Sequence, residues 1–142
     1  MTSFENTHIL VVEDDKSIRT TLSTLLTESG YSVRSAEDGF AALLEIRSEL
    51  PDVIISDLHM PGMSGFELLT VVRLHCPGIK VIAMSGSYSG DRLPPGVNAD
   101  LFHAKGSSVD SLLEKLKALV ATQSIQRHLA YTPIIFCPEG QA

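Results

Sequence analysis

The acidic residues of this chain stand where apolar segments stop. "HILVVE" runs into Asp14-Asp15, and "DVIISD" delivers Asp57 shortly before Met60-Pro61-Gly62, a chain breaker. "KVIAMS" ends in Ser85, and "DLFHA" stops just before Lys105. Carboxylates gathered in one cleft repel one another unless something offsets the charge. A hard divalent cation does so: Mg²⁺ prefers oxygen ligands, takes one or two protein carboxylates and keeps several waters. Two or three of Glu13, Asp14, Asp15 and Asp57, with a backbone carbonyl from the loop after Asp57, are suitable ligands. Lys105 across the cleft adds positive charge, and the Ser85 hydroxyl can hydrogen-bond an anionic group. A carboxylate can itself be the nucleophile, since aspartyl phosphates are a known class of covalent intermediate. Phosphoryl transfer needs chiefly positioning and charge neutralisation. These residue types therefore suggest a cation-and-phosphoryl site without a Gly-rich phosphate cradle.

Such a site exists only if those segments end at one edge of a sheet. "HILVVE", "YSVRSA", "DVIISD", "KVIAMS" and "DLFHA" read as five strands, of which the continuous apolar run of the first suits a strand buried on both faces. Between them, "DKSIRTTLSTLLTESG" carries Ile18, Leu22, Leu25 and Leu26 at helical spacing with Gly30 as a stop. "GFAALLEIRSEL" and "SGFELLTVVRLHC" are helical, each followed by proline. "SVDSLLEKLKALVAT" is a final helix with Leu112, Leu113, Leu116, Leu119 and Val120 on its apolar side. Strands alternating with helices favour a parallel sheet with right-handed crossovers and helices on both faces. The count predicts an α/β, flavodoxin-like doubly wound five-stranded parallel sheet in the order 2-1-3-4-5, whose chemistry gathers at the carboxyl ends of the strands. One helix slot is disturbed. Between strands four and five, "GSYSGDRLPPGVNA" holds Gly86, Gly90, Pro94, Pro95 and Gly96, so the fourth helix is expected to be short or absent. Ser64-Gly65 reads as a second flexible point after Asp57.

Composition narrows the function. A chain of 142 residues is enough for one domain with a real core and too few for two. A formal charge of −6 and no Lys/Arg cluster argue against direct nucleic-acid binding. No apolar stretch approaches the roughly 20 residues that span a bilayer, and "MTSFENTH" lacks a signal pattern. The expectation is a cytoplasmic protein without membrane contact. Cys76 and Cys137 fit no metal spacing and read as reduced, structural thiols.

With these residues in place, "ILVVEDDKSIR", "DVIISDLHMPGMSGFELL", "VIAMSG" and "LFHAKG" together resemble the receiver domain of two-component response regulators. The resemblance covers about residues 7–121, with residues 1–6 as a lead. It implies that Asp57 is the phosphoacceptor and that Glu13 and Asp14 are the acidic pair. In that pair Asp14 would bind Mg²⁺ directly and Glu13 through water. It further implies that His59 offers its backbone carbonyl to the metal and that Ser85 is the switch hydroxyl. Lys105 would be the family's lysine, and Phe102 the aromatic that turns inward when that hydroxyl moves. The donor would be a sensor histidine kinase or a histidine phosphotransfer protein, and the output contact with a downstream protein. Such a protein is not an enzyme on any other substrate; it catalyses only its own phosphorylation and dephosphorylation. Asp15 falls one place beyond the pair and reads as a helix cap.

Three departures stand out. Gly106 follows Lys105 where the family usually has proline, which loosens the loop that places the lysine. The disturbed fourth helix alters a face through which receivers commonly signal. His59 occupies a position whose side chain lies near the phosphoryl group. A receiver-like scaffold that binds partners without phosphorylation switching is thus the alternative reading. A flavodoxin-like cofactor protein is disfavoured, because Glu13-Asp14-Asp15 would repel a phosphate. A haloacid-dehalogenase-like phosphatase wants an acid two residues after its nucleophile, where this chain has His59. Residues 122–142 form a tail too short for an output domain. Its apolar "YTPIIFC" is expected to fold back on the domain or to pair with a second chain as a homodimer.

Overall fold

A computed structural model describes residues 7–86 and 96–129, with side chains through residue 121. Its strands are β1 (His8–Val12), β2 (Ser32–Ala36), β3 (Val53–Asp57), β4 (Lys80–Ser85) and β5 (Leu101–Ala104). Its helices are α1 (Lys16–Glu28), α2 (Gly39–Ser48), α3 (Gly65–His75) and α4 (Val109–Leu129). The strands form one parallel sheet in the order β2-β1-β3-β4-β5, the expected doubly wound arrangement. The core divides by strand periodicity, because successive side chains point to opposite faces. Leu10, Val12, Ile54, Val81, Ala83 and Phe102 face α2 and α3. Ile9, Val11, Val53, Ile55, Ile82 and Met84 face α1 and α4. Every residue of β3 is buried, which is why "VIISD" shows no polar alternation.

Helix starts are set by side-chain caps. Asp15 accepts the N–H of Ile18 at 3.0 Å and caps α1. Asp38 accepts the N–H of Ala41 at 2.8 Å and caps α2. Ser64 and Glu67 form a reciprocal capping box at α3. On α1, Leu22 and Leu26 are buried, but Ile18 is 38% exposed, because it lies in the first turn at the rim of the core. The leucines assigned to the last helix pack as expected, with Leu112, Leu116 and Leu119 buried.

That helix runs on to Leu129, beyond Thr122 where the sequence reading ends it. The physical reason is that "TQSIQRHL" contains neither glycine nor proline to stop it. The disturbed fourth-helix slot, residues 87–95, lies outside the described residues, as do the apolar part of the tail and Cys137. The flanking residues 96–100 carry no helix. They are tied to α3 by Asn98 Nδ2, which donates to Thr70 Oγ1 at 3.1 Å, and by the Arg73–Asp100 ion pair at 3.3 Å. Among the described residues, no helix is long and apolar enough to cross a membrane.

Candidate functional site

Strand order brings the acids together. β1 and β3 are neighbours with Val12 opposite Ser56, so Glu13 and Asp57 emerge side by side at the carboxyl edge. The Glu13 N–H donates to the Ala36 carbonyl at 3.0 Å, which holds its backbone against β2. Its side chain is fully buried, and Oε2 accepts the Asp15 N–H at 3.1 Å. Asp57 is 2% exposed, and its Oδ1 accepts the His59 N–H at 3.4 Å. The ladder continues one step beyond it, with the Leu58 N–H donating to the Met84 carbonyl at 2.9 Å. Asp14 is exposed, and its carboxylate joins the other two from the open side.

Lys105 closes the site. Its N–H donates to the Ser85 carbonyl at 3.1 Å, which sets its backbone at the end of β5. Its Nζ lies 2.9 Å from Glu13 Oε1 and 3.2 Å from Asp57 Oδ2. The side chain passes beside Gly86, where an added Cβ would stand 3.9 Å from Lys105 Cδ. The loop loosened by Gly106 therefore still seats the ammonium between the two buried acids. Burial pushes the Glu13 carboxyl above its ordinary value and Asp57 adds to the rise, while Lys105 and the Asp15 N–H oppose it. Burial also opposes the charge on Lys105, yet the two acids outweigh it and hold the ammonium above its ordinary range.

A stability prediction follows from the crowded carboxyl. The folded state holds the Glu13 proton more tightly than the unfolded chain does. The metal-free protein thus loses stability as pH rises from the ordinary glutamate value of 4.5 through the raised value. Glu13→Gln removes that loss. In urea titrations with EDTA at neutral pH, its midpoint is expected above that of the parent, and the gap should close toward pH 4. A lower midpoint at neutral pH would contradict this.

The remaining candidates fall around the same edge. Ser85 is buried at the end of β4. Phe102 is 1% exposed and points into the layer beneath α2 and α3, so the aromatic is inward here. The His59 side chain is exposed and meets Phe66 edge-on at 6.0 Å. Glu13, Asp14 and Asp57 each offer an oxygen, all within 4.8 Å of one another. This oxygen-only donor set, open to water on the Asp14 side, fits Mg²⁺.

Two residues escaped the sequence reading. Arg19 reaches back from α1 to the loop that carries the acids, with Nη1 donating to the Glu13 carbonyl at 2.8 Å. Its spacing four residues after the Asp15 cap is a faint signal at best. Gly65 was read as a flexible point, and the structure corrects this. It needs no unusual φ, unlike Gly62 at 75°. It is required because a Cβ there would meet the Asp57 carbonyl oxygen at 2.1 Å.

Fold and site together define a doubly wound α/β domain that gathers carboxylates, a hydroxyl and a lysine at the carboxyl edge of its sheet. A model of the response regulator receiver domain matches residues 9–117. The chain belongs to that family, the receiver domains of two-component systems. It is 32% identical over 114 residues to the response regulator MprA of Mycobacterium avium, an alignment covering 79% of this chain and 50% of the relative. The chain thus spans about half the length of the curated relatives it matches. Among solved structures, response regulator TrrA of Thermotoga maritima in complex with Mg²⁺-BeF is 37% identical with a TM-score of 0.73. The chemotaxis protein CheY4 of Vibrio cholerae is 30% identical with a TM-score of 0.71. Each of these two matches covers 80% of this chain and 98% of the other.

Proposed function

We propose that Asp57 accepts a phosphoryl group from a phosphohistidine, carried by a sensor histidine kinase or a histidine phosphotransfer protein. The observation that carries this is the Asp57 carboxylate itself, buried at the sheet edge with an ammonium 3.2 Å from Oδ2 and two further acids beside it. An Oδ atom forms the new bond to phosphorus as the donor's N–P bond breaks, and the electron pair stays on the imidazole nitrogen. Glu13, Asp14, Asp57 and the His59 carbonyl would hold Mg²⁺, which neutralises charge on the phosphoryl oxygens when bound. Lys105 supplies a fixed positive charge on the opposite side. Ser85 meets the phosphoryl group by its hydroxyl, and Phe102 occupies the inward position that follows. The product carries about −1.5 to −2 charge, enough to bias a two-state protein-binding surface. The protein acts on no other substrate, and its output is a protein–protein contact.

Related structures support the donor class: TrrA has been solved in complex with histidine kinase ThkA, at 36% identity and a TM-score of 0.73 to this chain. The seated Lys105 weighs against a scaffold that has lost switching. The test is mass spectrometry after incubation with acetyl phosphate and Mg²⁺. The parent should gain one phosphoryl, Asp57→Asn should gain none, and EDTA should abolish the adduct. A parent that stays unmodified would remove this reading.

A further inference from the structure

We infer that Arg19 is a positioning residue for Asp14, so that the cation affinity of the site depends on a side chain that touches neither cation nor phosphoryl group. This rests on the reading of the three acids as a Mg²⁺ site. The loop between β1 and α1 is short and heavily tied. Glu13 is held through its N–H to Ala36 and through Oε2 to the Asp15 N–H. Asp15 is committed to capping α1. Asp14 differs: among the described residues its carboxylate takes no hydrogen bond or ion pair, so only the backbone aims it. The backbone on both sides of it converges on one nitrogen. Arg19 Nη1 donates to the Glu13 carbonyl at 2.8 Å and reaches the Asp14 carbonyl at 3.5 Å. The carbonyls belong to the peptide planes before and after the Asp14 Cα. Because peptide units are planar, fixing both oxygens fixes the direction of its Cβ. Arg19 is itself anchored on α1, where its N–H donates to the Asp15 carbonyl at 2.9 Å.

The sign of the effect separates this role from two simpler ones. A guanidinium near a cation site repels the cation, so an Arg19 acting only through its charge would weaken Mg²⁺ binding, and its removal would tighten it. An Arg19 serving only the fold would lower the melting temperature and leave affinity unchanged. A positioning role predicts that removal weakens binding, within the roughly 10–100-fold range seen for residues that orient metal ligands.

The experiment is a MgCl₂ titration of the metal-free full chain, followed by amide chemical shifts in ¹H–¹⁵N NMR. Arg19→Ala should raise the Mg²⁺ dissociation constant about tenfold or more. Arg19→Lys, which keeps one donor nitrogen, should stay within about threefold of the parent. Asp14→Ala serves as the reference for a lost ligand. Unchanged or tighter binding in Arg19→Ala, with shifts that report a folded protein, overturns the inference while leaving the Mg²⁺ reading intact. A parent whose amides near Glu13 and Asp57 do not respond to Mg²⁺ overturns both.

Discussion

On the proposed function, Lys105→Ala is expected to lower the initial rate of Asp57 phosphorylation by acetyl phosphate about 10²–10³-fold, the range for removing one fixed charge stabiliser from a transition state. The reasoning starts from position. The ammonium stands 3.2 Å from Asp57 Oδ2 and 2.9 Å from Glu13 Oε1 in a place largely closed to solvent. It needs no reorganisation when negative charge builds on the transferred group. No other Lys or Arg among the described residues forms an ion pair with either acid. Mg²⁺ binding should survive or tighten, since a repelling cation has been removed. The two readouts therefore move in opposite directions. Rates by mass spectrometry within threefold of the parent, at saturating Mg²⁺, would show that Lys105 is not part of the chemistry.

Gly65→Ala should damage fold and site together. An added methyl at this first residue of α3 would meet the Asp57 carbonyl oxygen at 2.1 Å and Leu58 Cα at 2.7 Å. Both are backbone atoms and cannot rotate away. The Gly65 N–H donates to the Leu58 carbonyl at 3.1 Å, so the start of the helix and the end of β3 are already in contact. Relief requires one of them to shift, and Asp57 shifts with the strand end. The expected loss is about 3 kcal/mol in urea unfolding, the upper end for overpacking, with an adduct yield lower than the folded fraction alone accounts for. Gly78→Ala is the comparison, because a Cβ added there meets nothing within 4 Å. Equal urea midpoints for the two variants would count against the backbone clash as the cause.

The elements that carry the site were legible because burial on both faces writes itself into local sequence. β1, β3 and β4 appear as continuous apolar runs, and each ends within a residue of the group it delivers. The helices announce themselves by period, and Asp15 by its place at the start of α1. From strand order alone, Glu13 and Asp57 had to become neighbours, and the register of β1 with β3 makes them so. Asp14, Ser85 and Lys105 follow from the same rule that strand ends share one edge.

Other features depend on groups far apart in the chain meeting at particular distances, and no local pattern encodes that. Glycine after Lys105 suggested a loosened lysine, but hydrogen bonding to β4 and two buried acids locate it regardless. Phe102 is indistinguishable in sequence from ordinary core, and only packing shows it turned inward. Gly65 could not be told from a flexible hinge until the backbone it crosses was in place. The sequence by itself thus determined the family, the order of strands and the identity of the acids, because periodicity and strand ends are local properties. Tertiary structure alone decided that Lys105 bridges Glu13 and Asp57 and that Arg19 braces the loop bearing Asp14. Those contacts exist only where separate elements are brought within hydrogen-bond reach.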